Sequence, residues 1–232
     1  MAFKRIIELY SEGGVSEVFR GVRDYFHYNV FNRGTLDYHT IRIDNEDRWD
    51  YLSEFISHSS SLVDIGCAEG FFTVRSAKDG IVSIGIDTKE ERIGRARKSA
   101  ETIDKCGFIR WDIGPNDINR LPQVDVILLM TVHHHWEQEY GLDTAERMFR
   151  VVMDRCDTLV YEPPGDRPII KNQDGNLNPN MSSDYYIGRL QALYGDSIEI
   201  IDCQMFPHTV GDENRREDPL FVIDVSGYKL DE

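Results

Sequence analysis

The fold of this chain is decided by residues 61–73, which read SLVDIGCAEGFFT. They begin as a short apolar strand that contains an acid, continue as a turn with Gly66 and Gly70, and lead into a helix. Because glycine has no Cβ, the backbone of such a turn can approach a ligand closely. The positive N-terminal end of the following helix points to the same place. The pattern predicts a nucleotide-type pocket at the carboxyl end of the first strand of a doubly wound sheet.

The spacing of the glycines indicates which cofactor the pocket takes. A dinucleotide site has the pattern G-x-G-x-x-G, whereas here Ala68 lies between Gly66 and Gly70 and Asp64 precedes them. This D-x-G-x-A-x-G pattern resembles the first motif of the class I S-adenosylmethionine (SAM) methyltransferases. The alternative is an ordinary strand–turn–helix corner that binds nothing. In the family the turn lies against the methionine part of SAM, which implies cofactor contacts for Asp64, Gly66, Cys67, Ala68, Glu69 and Gly70.

A second apolar run supports this resemblance. Residues 81–87 end in Asp87, and an acid about 20 residues beyond the glycine turn can accept charge-assisted hydrogen bonds from both ribose hydroxyls. We therefore expect Asp87 to bind the ribose of SAM.

The next two strands complete the resemblance. Residues 106–112 end in Asp112, and in the family an acid at this position receives the adenine amino group. Trp111 or Ile113 is then expected to cover the adenine ring. Residues 124–130 form a run of mostly apolar residues, as a buried parallel strand requires. Four motifs in family-like order extend the resemblance over about residues 60–165.

The alternation of helices and strands predicts the architecture. It indicates an α/β fold, a Rossmann-like doubly wound sheet of seven strands that is mostly parallel with an antiparallel last strand. We expect residues 1–60 to form an N-terminal helical cap and 61–232 the SAM-binding domain. The predicted helices lie in 3–30, 47–56, 71–78, 90–103, 116–120, 137–154 and 181–194, and the later strands in 158–161, 197–202 and 220–225.

Composition narrows the class of protein. The chain has 232 residues, of which 41% are hydrophobic, so it can bury a core and is not disordered. Its 4 cysteines are scattered, which favours neither a zinc cluster nor a disulfide framework. No apolar stretch follows the basic residues Lys4 and Arg5, so no secretory signal is predicted, and the apolar run 124–132 is too short to span a bilayer. We expect a cytoplasmic protein and leave peripheral association with the inner membrane face open.

The net charge of −15 argues against a large basic surface for nucleic acid. The many acids and few lysines resemble proteins of haloarchaea, where a coat of carboxylates is screened by high salt. The alternative is an ordinary acidic protein.

Candidate catalytic residues follow the fourth and fifth strands. Methyl transfer to an alcohol requires a positioned acceptor and removal of its proton, and histidine suits proton removal near neutral pH. His133, His134 and His135 are therefore candidate bases, although any one of them can instead be a packed or solvent-facing residue. Glu162 is the alternative base.

A metal site is a competing hypothesis. The histidines with Glu162, Asp112 or His208 have the ligand types of a divalent-ion site, which some O-methyltransferases use to acidify a hydroxyl. RNA 3′-end ribose methyltransferases carry a His-His motif with an upstream glutamate, which strand 127–130 of this chain lacks. We therefore predict no metal.

The segments that flank the matching region suggest how the acceptor binds. Residues 163–180 are rich in Pro, Gly, Asn and Asp and are predicted to form a lid, in which Arg167 and Lys171 can bind an anionic acceptor. Upstream, Arg42 can pair with the SAM carboxylate or His39 can line the acceptor side. A plain helix cap at 44–45 explains that region equally well.

The acceptor itself is suggested by a loose resemblance. Residues 10–25 look like the start of haloarchaeal proteins found among surface-glycan enzymes. This implies a sugar acceptor, such as a uronic acid of an N-glycan, either as a small molecule or lipid-linked, methylated on a hydroxyl. Open alternatives are RNA, a nucleotide or a metabolite as acceptor, and a non-catalytic SAM-fold module. The acids Asp64, Asp87 and Asp112 argue against that last class.

Overall fold

A computed structural model of the protein describes residues 44–164, 183–210 and 214–229, without the side chains of 208–210 and 214–216. Contacts divide the chain into two compact units, and the unit that contains the sheet comprises Asp44–Pro207 and Arg216–Glu232. The predicted N-terminal helices in 3–30, with His39 and Arg42, lie outside the described residues.

The described residues form one seven-stranded sheet in the order β3-β2-β1-β4-β5-β7-β6. Strands β1 to β5 pair in parallel, and β7 runs antiparallel to β5. The fold class predicted from the sequence is thus confirmed. The strands are β1 Ser61–Ile65, β2 Val82–Asp87, β3 Cys106–Arg110, β4 Val126–Met130, β5 Thr158–Glu162, β6 Glu199–Val210 and β7 Asn214–Asp224.

Helices connect the strands of the sheet. They are α1 Asn45–Ile56, α2 Phe71–Lys78, α3 Glu90–Ser99, α4 His133–Tyr140, α5 Leu142–Asp154 and α6 Ser183–Tyr194, with short 3₁₀ turns at Ile118–Arg120 and Gly195–Ser197.

The helix predicted over 137–154 is wrong in two respects. It is interrupted at Gly141, whose φ of 81° ends α4 and precedes α5, a conformation that glycine adopts without a steric penalty. Its first half also begins earlier, at His133, so the histidine run forms the first turn of this helix. The last two strands are longer than the predicted 197–202 and 220–225.

The core lies on both faces of the sheet. Strand β4 is buried along its whole length, with Ile127 in the hydrophobic cluster on one face and Leu128 in the cluster on the other. Helix α1, which the sequence assigned to a cap ending at residue 60, belongs to the second cluster through Leu52 and Ile56. Burying each such side chain contributes roughly 1.5–3 kcal/mol. The division of domains at residue 60 stays a prediction.

Candidate active site

The glycine turn between β1 and α2 is held by backbone hydrogen bonds. The amides of Gly66 and Cys67 donate to the Ile86 carbonyl at 2.8 and 2.9 Å, which ties the turn to β2. Gly66, Ala68 and Gly70 have φ values of 79°, 50° and 81°. For Ala68 the left-handed conformation costs about 1–2 kcal/mol, and strained backbone of this kind clusters at ligand sites.

Both glycines of the turn are also required by packing. A Cβ on Gly66 would lie 2.4 Å from Cγ2 of Val132, and one on Gly70 would lie 2.5 Å from Cε1 of Phe108. The approach of a ligand is therefore not the only reason for glycine at these positions. The contacts show that these positions also let the start of α4 and strand β3 pack against the turn.

Asp64 lies under the turn and is buried. Its Oδ2 accepts a hydrogen bond of 2.7 Å from the hydroxyl of Thr73 on α2. The pKa of Asp64 is raised to about 6, chiefly by burial and also by the negative charge of Asp87, while the hydrogen bond from the Thr73 hydroxyl acts in the opposite direction. Asp64 therefore joins β1 to α2.

Asp87 ends β2 and reaches the turn from the other side. The Ala68 amide donates to its Oδ2 at 3.1 Å and the Lys89 amide to its Oδ1 at 2.9 Å. The Arg92 guanidinium lies 3.4 Å from Oδ2. The structure thus brings the predicted ribose ligand directly against the predicted methionine turn.

The end of β3 lies next to Asp87, because the Trp111 amide donates to the Asp87 carbonyl at 3.1 Å. The Trp111 indole is half-buried and donates to Oδ2 of Asp117 at 2.7 Å, a bond that lowers the pKa of Asp117. Asp112 is exposed, whereas Ile113 is buried in the core. Of the predicted adenine contacts, Trp111 is therefore the one that the structure fixes beside Asp87.

The two remaining predicted cofactor residues of the turn are Cys67, which is buried, and Glu69, which is half-buried. Cys67 is buried, and burial raises the pKa of its thiol. The Glu69 carboxylate forms an ion pair of 2.9 Å with Arg95 of α3.

His133 begins α4 and is buried among aromatic rings. Its Nδ1 shares a hydrogen bond of 2.9 Å with the Tyr161 hydroxyl, and its ring stacks on Phe149 with centroids 4.8 Å apart. Burial lowers the pKa of His133 to about 3, and the charges of Arg189 and His134 act in the same direction. His133 is therefore neutral and attaches α4 to β5.

His134 and His135 differ from His133 in their surroundings. Their rings lie 4.0 Å apart between centroids, with His134 buried and His135 exposed. Partial desolvation lowers the pKa of His135, the positive charge of Arg92 lowers it further, and Glu139 opposes both. His135 thus lies in the field of the same arginine that contacts Asp87.

Glu162 at the end of β5 is buried and bonded to Arg48 of α1. The Nη1 atom of Arg48 lies 3.1 Å from Oε1 and 2.9 Å from Oε2, and the guanidinium lies over the Phe72 ring at 4.8 Å. The carboxylate is therefore engaged in an internal ion pair between α1 and β5. This contact distinguishes it from a base that faces an acceptor.

Several predictions fall on other residues. Arg167, Lys171 and residues 165–180 of the proposed lid lie outside the described residues, as does the side chain of His208. Within the part that the structure describes, no three His, Cys, Asp or Glu side chains are grouped so that they can hold a metal ion. The described helices include none that is long and apolar enough to cross a membrane.

Sequence reasoning missed Thr73, Arg92, Tyr161 and Arg48. Arg92 has a local signal: it lies in the first turn of α3, where a basic side chain opposes the helix dipole. Arg48 has no such signal, because its partner is 114 residues away.

Comparison with known proteins agrees with this geometry. The family described as "Methyltransferase domain" matches residues 62–155, which is less than half of the chain. An O-antigen chain terminator bifunctional methyltransferase/kinase of Escherichia coli is 28% identical over 119 residues, 50% of this chain and 17% of that protein. A protein-lysine N-methyltransferase of Saccharolobus islandicus is 24% identical over 128 residues, 53% of this chain and 77% of that protein.

Solved structures of methyltransferases are similar in fold to this chain. Magnesium protoporphyrin IX methyltransferase from Synechocystis PCC 6803 with bound SAH has a TM-score of 0.59 at 16% identity, over 88% of this chain and 97% of that chain. The bifunctional kinase-methyltransferase WbdD has a TM-score of 0.57 at 20% identity, over 78% of this chain and 38% of that chain. At these identities the likeness establishes the fold. Together with the matched domain, the structures crystallised with SAM or SAH support SAM as the cofactor.

Proposed function

We propose that the protein is a SAM-dependent O-methyltransferase that methylates a sugar hydroxyl. The proposed sugar is a uronic acid that belongs to a surface glycan or to a protein N-glycan. The observation that carries the proposal is the contact between Asp87 and Ala68. It joins the predicted ribose ligand to the strained turn at the carboxyl edge of the sheet. Doubly wound folds bind ligands at this edge.

The residues present fit SAM. The Asp87 carboxylate lies at the edge of the glycine turn, and Trp111 is held beside it by its backbone and by Asp117. These residues would hold the ribose and adenine, with Gly66 to Gly70 against the methionine part. When bound, SAM supplies an electrophilic methyl group on a sulfonium.

The acceptor hydroxyl needs a base as its oxygen bonds to the methyl carbon. The C–O bond forms, the C–S bond breaks, and the hydroxyl proton passes to an imidazole nitrogen. We assign this base to the pair His134 and His135. His133 suits the role less, because its low pKa makes it a weak base and its ring is stacked in the core. Glu162 is already neutralised by Arg48.

The pairing of Glu162 also bears on the metal hypothesis. Both oxygens of Glu162 lie within 3.1 Å of Nη1 of Arg48, so a divalent ion bound to this carboxylate would lie close to the positive guanidinium and be repelled by it. We therefore propose transfer without a metal, with deprotonation by a histidine.

The glycan acceptor rests on two supports. One is the loose resemblance of residues 10–25, and the other is the relative whose name places it at an O-antigen chain. We propose Arg167 and Lys171 as the groups that bind the acceptor carboxylate, a cytoplasmic location, and a lipid-linked glycan as one form of the substrate. The relative that methylates protein lysine favours a second candidate, N-methylation of a protein.

The test is transfer of an isotope-labelled methyl group from SAM. The acceptor panel contains uronic-acid oligosaccharides, lysine peptides, RNA, nucleotides and small metabolites, and mass spectrometry locates the label. Label on a sugar hydroxyl supports the proposal. Label on lysine instead supports the second candidate, N-methylation of a protein. Calorimetric binding of SAM without label on any acceptor, including a total glycan extract, would indicate a binding module. Absence of SAM binding would refute the assigned cofactor site.

A further inference from the structure

The Asp87 carboxylate already accepts hydrogen bonds at most of the positions that a ribose would use. Within the described residues, three donors reach its carboxylate: the amides of Ala68 and Lys89 and the guanidinium of Arg92. A carboxylate offers about four acceptor positions. Two hydrogen bonds from ribose hydroxyls would therefore exceed the number of positions left.

The three contacts are not equally replaceable. The two amides belong to the backbone of the turn and of the start of α3, so they cannot leave Asp87 without deforming these elements. The Arg92 contact is the longest of the three at 3.4 Å and comes from a flexible side chain with 22% of its surface exposed. Arg92 is the donor that can leave.

The position of Arg92 in α3 points the same way. It follows Glu90 and Glu91 in the first turn of the helix, where acids favour the helix dipole and a cation opposes it. The negative field of Asp87, with Asp64 close behind it, offsets that cost. The side chain is thus held towards the predicted ribose position by the acid that the ribose would use.

We propose that Arg92 competes with the ribose hydroxyls for Asp87 and so weakens the binding of both SAM and its product SAH. This inference rests on the proposed function in that it takes SAM as the ligand. A competing internal cation lowers the affinity for substrate and product alike, because both carry the same ribose. It therefore favours release of SAH after each transfer.

The test is calorimetric titration of Arg92→Met with SAM and with SAH. We expect both to bind about 3- to 10-fold more tightly, corresponding to removal of one competing contact to a charged group. Lys98→Met is the matched control, because it removes one positive charge from an exposed position of the same helix. It should leave both affinities within about 2-fold, since surface charges act weakly over such distances.

A second readout separates competition from a merely structural role. Without Arg92, the unliganded protein should melt at a lower temperature, because Asp87 loses a partner, whereas the rise in melting temperature on adding SAH should become larger. Arg92→Lys, which keeps the charge but loses the planar donor group, should lie between the wild type and Arg92→Met in both measurements.

Three results would overturn the inference. SAM and SAH could bind Arg92→Met more weakly, which would make Arg92 a ligand of the cofactor. The affinities could stay unchanged, or SAM alone could bind more tightly, which would indicate repulsion of the sulfonium and not competition for Asp87. If the wild-type protein itself binds neither SAM nor SAH, the proposed function fails instead.

Discussion

The two halves of the carboxyl edge of the sheet are held together in different ways. Around β1 and β2, the contacts involve the backbone and acids within about 30 residues of each other, such as Ala68 with Asp87. Around β4 and β5, the contacts join side chains, as between His133 and Tyr161, and one of them reaches Arg48 on α1, 114 residues from Glu162. The first half has the features of a cofactor site. The second is a packed scaffold under the proposed acceptor site.

The largest expected effect tests the assignment of the base in the second half. Replacing His134 or His135 by Ala, whichever is the base, should slow turnover by about 10²–10⁴-fold and leave SAM affinity nearly unchanged. The rate should rise with pH. If His135 is the base, its midpoint should lie below the usual histidine value, because desolvation and Arg92 lower its pKa. Steady-state kinetics over a range of pH, with and without EDTA, provide the measurement.

The outcomes of this experiment are distinct. Near-full turnover in both single variants would exclude His134 and His135 as the base and leave His133, Glu162 or simple positioning. Loss of activity with EDTA that a divalent ion restores would establish the metal hypothesis.

The next effect concerns the ion pair of the second half. Arg48→Met removes the guanidinium that pairs with the buried Glu162 carboxylate and should lower the free energy of unfolding by about 3–5 kcal/mol. The double variant Arg48→Met, Glu162→Gln should be less destabilised than Arg48→Met alone. Urea denaturation measures both. Arg95→Met, which breaks the more exposed pair with Glu69, should lower the free energy of unfolding by no more than about 1 kcal/mol. Equal losses in Arg48→Met and Arg95→Met would contradict the greater importance of the buried pair.

In the first half, Asp64 should make stability depend on pH. Its folded-state pKa of about 6 lies above the usual 3.8. Below pH 3.8 the buried Asp64 charge therefore does not lower the free energy of unfolding. As the pH rises towards 6, the cost of burying this charge lowers it progressively. A shift of this size corresponds to about 3 kcal/mol.

Asp64→Asn tests this dependence, because the amide carbonyl can still accept the Thr73 hydrogen bond. Relative to wild type, its free energy of unfolding should improve by up to about 3 kcal/mol between pH 4 and pH 7.5. Chemical denaturation at several pH values measures it. Asp104→Asn, at an exposed position, should show no such trend. Parallel curves of unfolding free energy against pH for Asp64→Asn and wild type would disprove a cost of burying the Asp64 charge.

The smallest expected effect tests the ribose contact. Asp87→Ala should weaken SAM binding by about 1.5–3 kcal/mol, the contribution of hydrogen bonds to a charged group. Isothermal titration calorimetry gives the value directly. Unchanged affinity would mean that the ribose is held elsewhere and that Asp87 serves only to fix the turn.

The contrast also explains what the sequence could predict. The glycine turn, Asp64 and Asp87 lie within one β–α–β unit, so their order and spacing predict their meeting. The antiparallel last strand followed from the resemblance to a family. Trp111 was predicted beside the cofactor, but its hydrogen bond to Asp117 was not. Asp112 and Asp117 both lie near Trp111 in the sequence, and the sequence does not tell which of them accepts from the indole.

The second half was less predictable for a physical reason. His133, His134 and His135 are identical in type, and only the side of α4 on which each one lies separates a core residue from a candidate base. That side depends on the residue at which α4 begins, which the sequence analysis placed four residues too late. Glu162 likewise looked like a free acid because its partner Arg48 lies on a helix that had been assigned to a separate cap.

The Arg48–Glu162 pair also bears on where this protein can be shortened. A fragment that starts at residue 61 keeps the glycine turn and all seven strands of the described sheet, yet it lacks Arg48 and exposes the apolar cluster to which Leu52 and Ile56 belong. Such a fragment loses the guanidinium that pairs with the buried Glu162 carboxylate and should aggregate. We therefore expect a soluble piece that retains the glycine turn to begin no later than Asn45, the first residue of α1, and limited proteolysis to spare this helix.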